Sequence, residues 1–116
     1  MIPAYNCSRY LRQAMESVLS QSPAANEMQI EVVDDASTDA DVAALVQEVG
    51  RGRIAYFRQP KNVGSLRNFE TCINRARGEY IHILHGDDFL SPGFYDTVGE
   101  LFNQHPGIGS VFTAFT

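Results

Sequence analysis

Two periods govern the pattern of apolar residues along this chain. Short apolar runs bounded by turn residues alternate with longer stretches in which apolar positions recur at helical spacing. Ile2-Pro3-Ala4 reads as the end of a first strand, with Asn6 or Ser8 available to cap a helix from Arg9 to Ser20 that carries Leu11, Met15, Val18 and Leu19. A polar loop around Pro23 leads into a second strand, Gln29–Val33. Ser37 or Asp39 can then cap a helix over Val42, Leu45, Val46 and Val49, which Gly50 and Gly52 close. Ile54–Phe57 is a third strand, followed by a loop with turn chemistry over Pro60–Gly64. The spacing predicts a third helix over Ser65–Ala76, with Leu66, Phe69, Cys72 and Ile73 on one face, and a fourth strand over Tyr80–Leu84. Pro92 opens a last helix containing Phe94, Tyr95, Val98, Leu101 and Phe102, and Ile108–Phe112 reads as a fifth strand.

Strands joined through helices imply an α/β fold: a mostly parallel sheet of about five strands, covered by helices on both faces. No repeat or internal linker interrupts residues 1–116, so we expect a single domain. MIPAYN begins where a strand should already be running, and SVFTAFT ends inside an apolar run, so we expect the fold to be truncated at both ends.

In such a fold the loops at the carboxyl ends of the strands form the ligand crevice. Two acidic doublets fall there: Asp34-Asp35 after the second strand and Asp87-Asp88 after the fourth. Two carboxylate pairs in one crevice repel each other unless a cation or hydrogen-bond donors lie between them, and a divalent metal escorting a phosphorylated ligand meets that need. The formal net charge of -5 argues against a nonspecific basic grip on nucleic acid. The two cysteines, Cys7 and Cys72, form neither a metal-type pair nor a disulfide framework, and read as reduced thiols in a cytoplasmic protein. No apolar run approaches the ~20 residues of a membrane span.

Read together, IPAYN (2–6), SVLSQ (17–21), VVDDASTD (32–39), NVGSLRN (62–68), ARGEYI (76–81) and HGDDFLSP (85–92) resemble the family 2 glycosyltransferases. The resemblance covers nearly the whole chain in order. It implies a Rossmann-like GT-A fold and an inverting, metal-assisted transfer of sugar from a nucleoside diphosphate donor to an acceptor hydroxyl, as in polysaccharide biosynthesis. In the family the stretch Pro3, Ala4, Tyr5 and Asn6 lines the base pocket; Tyr5 can stack on a base or pack as a loop tyrosine on the following helix. Asp34 and Asp35 join the donor-binding set, with Asp35 chiefly assigned to a ring N–H of the base, although the DDASTD segment can equally cap a helix. Gly64 lets the backbone approach the donor, and Arg67 either answers phosphate charge or is simply solvated.

The common Asp-x-Asp-Asp pattern is here His85-Gly86-Asp87-Asp88, so its first acid is missing. Asp88 is the metal candidate, for Mg2+ or Mn2+, and Asp87 the acceptor for a ribose hydroxyl. His85 can be an extra ligand or a structural hydrogen-bonder. The family's general base comes after the fifth strand, so it is expected beyond Thr116; the chain then holds the donor-binding half and lacks the acceptor half. The alternative is a noncatalytic nucleotide-sugar-binding fragment or degenerate module. A receiver-like phosphoacceptor domain fits poorly, because Phe57-Arg58-Gln59-Pro60 supplies no acceptor aspartate and no lysine follows Lys61. The expected partners are the nucleotide sugar and a saccharide or other hydroxyl acceptor, with no nucleic acid. Self-association as a homodimer through apolar surface around Val111, Phe112 and Phe115 is a further expectation. The expected location is cytoplasmic, with any membrane association supplied by other parts of the parent.

Overall fold

The computed structural model describes residues 1–114. Three parallel strands, β1 (Ile2–Ala4), β2 (Glu31–Asp34) and β3 (Ala55–Arg58), lie side by side in that order. Ile2 pairs with Val32, and Val32 with Tyr56. Helices α1 (Ser8–Leu19) and α2 (Val42–Gly50) connect them, followed by α3 (Ser65–Arg75) and α4 (Phe94–Gln104).

Side-chain alternation along β2 sorts the helices between the two faces. Ile30 and Val32 join Leu11, Met15 and Val18 of α1 and Val42 and Val46 of α2 in one buried cluster. Fully burying a side chain such as Leu11 or Met15 contributes about 1.5–3 kcal/mol. Glu31, one position out of phase, is paired instead with Arg75 of α3. The α3 face against the sheet is polar at its centre: Asn68 donates to the Val33 carbonyl at 2.9 Å, and Gln59 donates to Asn68 and Thr71 at 3.2 and 2.9 Å. Asn68 and Cys72 are the buried residues of this helix, whereas Leu66 and Ile73, expected to face the core, are exposed.

The expected fourth strand is not a strand in the structure, and the reason lies in Pro3. The Met1 ammonium donates to the His82 carbonyl at 2.9 Å, and Leu84 and Gly86 donate to the carbonyls of Met1 and Pro3 at 3.0 Å each. This is the rhythm of a parallel ladder, but Pro3 has no N–H to return a bond, so the ladder is interrupted where it would be completed. Residues 80–86 therefore run alongside β1 as an extended edge segment. The expected fifth strand over Ile108–Phe112 is neither helix nor strand, and Phe112 is 91% exposed. The part of the expected dimer surface assigned to Phe115 lies outside the described residues.

The caps also differ from expectation. Asp41, not Ser37 or Asp39, caps α2, accepting from Ala44 N–H at 3.0 Å, and Arg51 takes the left-handed position that ends it. α1 has no side-chain cap, because Asn6 and Ser8 are bonded across to the loop after β2. Beneath α4, His82 contacts the Tyr95 hydroxyl at 3.0 Å and packs on Phe94; burial, with the Met1 ammonium second, pushes its imidazole down to about 4.

Candidate functional site

The loops after β1 and β2 are laced together. Asp35 N–H donates to the Ala4 carbonyl at 2.8 Å, Asn6 N–H to Ser37 Oγ at 3.0 Å, and Thr38 N–H to Asn6 Oδ1 at 2.8 Å. Ser8 donates through both its N–H and its hydroxyl to Asp39 Oδ2, at 3.0 and 2.6 Å; the hydroxyl bond leads the causes that hold the Asp39 carboxyl below its usual range. This lacing fixes Tyr5, half exposed at the end of β1, on the wall of a cleft of about 380 Å³.

The two members of the first doublet have separate tasks. Asp34 is fully buried: Oδ1 accepts from Ser37 N–H at 3.0 Å, and Oδ2 accepts from the Tyr56 hydroxyl at 2.6 Å and the Arg58 guanidinium at 2.9 Å. Burial first, and then the bond to Asp34, push the Tyr56 phenol up. Asp34 thus anchors the β2 loop to β3 and is not on the cleft wall. Asp35 is on that wall, and its carboxylate holds the loop before α3. Oδ1 accepts from Val63 N–H at 2.7 Å, while Oδ2 accepts from Gly64 N–H and Asn62 Nδ2, both at 3.0 Å. Gly64 begins α3 with φ 90°, a backbone state that L side chains rarely adopt.

Gly86 brings the second doublet to the same cleft. A Cβ there would lie 2.6 Å from Cys7 Sγ and 3.2 Å from the Pro3 carbonyl, so only glycine lets this segment close on β1. The cleft is lined by Pro3, Ala4, Tyr5, Cys7, Asp35, Asn62, Gly64, Ser65, Asn68, Phe69, His85, Gly86 and Asp87. Both doublets therefore lie at one end of the sheet. Of the sequence-predicted donor residues, Asn6, Asp34 and Arg67 are outside the lining: Asn6 laces loops, Asp34 is an internal anchor, and Arg67 is exposed on α3. Burial pushes the Cys7 thiol up, which keeps it protonated and makes it a packing residue rather than a nucleophile.

Ser65, Asn68 and Phe69 also line the cleft, Phe69 having been expected only as part of the apolar face of α3. Phe69 and His85, both in the cleft lining, meet edge to face with centroids 5.1 Å apart. The signal for Asn68 was an amide in the middle of a helix face that had to meet the sheet, which demands a specific partner.

Asp88, the metal candidate, is exposed beside the cleft and outside its lining. Among the described residues no group of three or more His, Cys, Asp or Glu can hold a metal ion. Asp87 and Asp88 are both exposed and in no ion pair among the described residues, which fits a cation held by one or two carboxylates with its other positions filled by ligand oxygens. Among the described residues no helix is long and apolar enough to cross a membrane.

Residues 1–115 match the family described as glycosyl transferase family 2, and the chain belongs to that family. It is similar to the chondroitin synthase of Escherichia coli, 35% identical over 115 residues that cover 97% of this chain and 16% of that protein. The fold matches S. aureus TarS in complex with UDP-GlcNAc (TM-score 0.77, 21% identity, covering 96% of this chain and 36% of that one). It also matches the mannosyltransferase PcManGT from Pyrobaculum calidifontis in complex with GDP-Man and Mn2+ (TM-score 0.81, 18% identity, covering 93% and 32%). This chain spans well under half the length of each.

Proposed function

We propose that the cleft binds a nucleoside diphosphate sugar as the donor site of an inverting glycosyltransferase. The observation that carries this reading is the convergence of Tyr5, Asp35 and Asp87 on one cleft at the carboxyl ends of the strands. Tyr5 offers a ring face to the base, Asp35 accepts a ring N–H, and Asp87 accepts from a ribose hydroxyl. Gly64, having no side chain, leaves room for the donor at the start of α3. Asp88 would hold Mg2+ or Mn2+ against the diphosphate. When bound, the cation supplies charge neutralisation for the departing diphosphate.

The chain's own residues bind and orient the donor; the acceptor hydroxyl attacks the anomeric carbon from the far side as the bond to the diphosphate breaks, and a base takes the hydroxyl proton. Among the described residues that line the cleft, Asp35 is engaged by the loop before α3 and Asp87 is the remaining carboxylate, which this reading assigns to the ribose. The base and the acceptor site are assigned to other parts of the whole protein. Calorimetry with UDP-, GDP- and dTDP-sugars, with and without Mn2+, tests the reading. Metal-enhanced binding of at least one donor is expected, and no binding of any of them would contradict it.

A further inference from the structure

One nitrogen holds both ends of the turn that follows β2. Arg58 Nη1 donates to Asp34 Oδ2 at 2.9 Å and to the Ser37 carbonyl at 3.1 Å, while Ser37 N–H donates to Asp34 Oδ1 at 3.0 Å. The turn between them passes through Ala36 at φ 60°, and Asn6, laced to it from the β1 loop, has φ 47°. Left-handed backbone at a residue other than glycine persists only where its surroundings over-determine it. Part of that restraint comes from an exposed arginine on β3, on the far side of the sheet from β1 and outside the cleft lining.

From Ser37 the restraint passes to the cleft wall. Ser37 Oγ accepts from Asn6 N–H at 3.0 Å, and Thr38 N–H donates to Asn6 Oδ1 at 2.8 Å. On the other side of Tyr5, the Ala4 carbonyl accepts from Asp35 N–H at 2.8 Å. Tyr5 is therefore held through both its neighbours, each bonded to the segment that Arg58 clamps. Tyr56 offers a contrast: its hydroxyl donates to the same Asp34 oxygen at 2.6 Å but, among the described residues, not to Ser37.

We infer that Arg58 is a positioning residue for the cleft: by clamping Asp34 to Ser37 it sets the place of Asn6 and Tyr5, and so tunes nucleotide affinity without touching the nucleotide. The inference rests on the donor-site reading above and adds to it a residue that lies outside the site.

Calorimetry with UDP and GDP in the presence of Mn2+, paired with urea unfolding, tests it on the chain and its variants. Arg58→Met should weaken the tighter-binding nucleotide by roughly three- to tenfold, within the range that remote substitutions reach. Arg58→Lys, which returns a donor nitrogen, should fall between the two, and it carries the same comparison should Arg58→Met not fold. Tyr56→Phe should lower the unfolding midpoint and leave affinity near that of the parent chain, which separates positioning from a general loss of stability. In a Ser37→Ala background, where the bond to Asn6 is cut, the Arg58 substitution should cost less affinity than in the parent chain. A direct pull of the arginine on the nucleotide's phosphates would cost the same in both. Unchanged affinity in every folded Arg58 variant, an equal loss in Tyr56→Phe, or additivity with Ser37→Ala would overturn the positioning role while leaving nucleotide binding in place. If the parent chain bound neither nucleotide, the donor-site reading itself would fall, and this inference with it.

Discussion

Gly64 donates its backbone N–H to Asp35 Oδ2 at 3.0 Å, so the acid at the end of β2 holds the start of α3 across the cleft. One carboxylate therefore shapes the cleft wall and faces its contents. Asp35→Ala should do two separable things. It should lower stability by about 3 kcal/mol, because the amides of Val63 and Gly64 lose a charged acceptor in a partly buried loop. It should also relax base preference. Urea unfolding and nucleotide titration read the two effects independently, and an unchanged unfolding midpoint would show that the loop does not depend on this acid.

Asp88→Ala should remove the enhancement of nucleotide binding by Mn2+ and leave the metal-free affinity near that of the parent chain. Asp88 is exposed and bears no ion pair among the described residues, so its loss should leave the fold intact. Titrations with and without Mn2+ check this. A variant still enhanced by the metal would move the metal assignment to Asp87 or elsewhere.

Gly86→Ala should destabilise the chain by about 1–3 kcal/mol through overpacking, since the new methyl would meet Cys7 Sγ at 2.6 Å. Cys7→Ala in the same chain should restore part of the loss, with the Pro3 carbonyl at 3.2 Å retaining the rest. A double-mutant cycle measures this coupling. Additive effects of the two substitutions would mean that the segment shifts bodily instead.

Stability should fall with acidification through His82. Its folded-state value, near 4, lies below the ordinary 6.5, so the unfolded chain binds the proton more readily. The contribution is present in full above about 6.5 and is lost as pH falls toward 4, for a total of up to about 3 kcal/mol. His82→Phe should flatten the stability profile between those limits relative to the parent chain. Equal slopes for the two proteins would refute this role.

Strand β1 and helices α1 to α3 were legible in the sequence to within one or two residues, because their apolar spacing has only one partner face to satisfy. The edge segment at 80–86 was not, since its failure as a strand depends on Pro3, far away in sequence, lacking an N–H. The place of the first doublet at the end of β2 was legible, but the division of labour within it was not. Asp34 is claimed by Tyr56 and Arg58, which reach it only through the parallel register of β2 and β3. In the same way Leu66 and Ile73 of α3 have the spacing of a core face, yet the helix turns Asn68 and Cys72 inward, where Asn68 donates to the Val33 carbonyl.

On this reading a nucleotide occupies the cleft between the loops after β1, β2 and the Gly86 turn. Backbone amide NMR of the labelled chain, titrated with UDP in the presence of Mg2+, tests it most directly. The largest saturable shifts should fall on Ala4, Tyr5, Asp35, Gly64, Gly86 and Asp87, which come from four separate segments of the chain and line one cleft. Saturable shifts centred instead on Ser20, Gln21 and Tyr95, which line a second depression beside α4, or no saturable shifts at all, would contradict it.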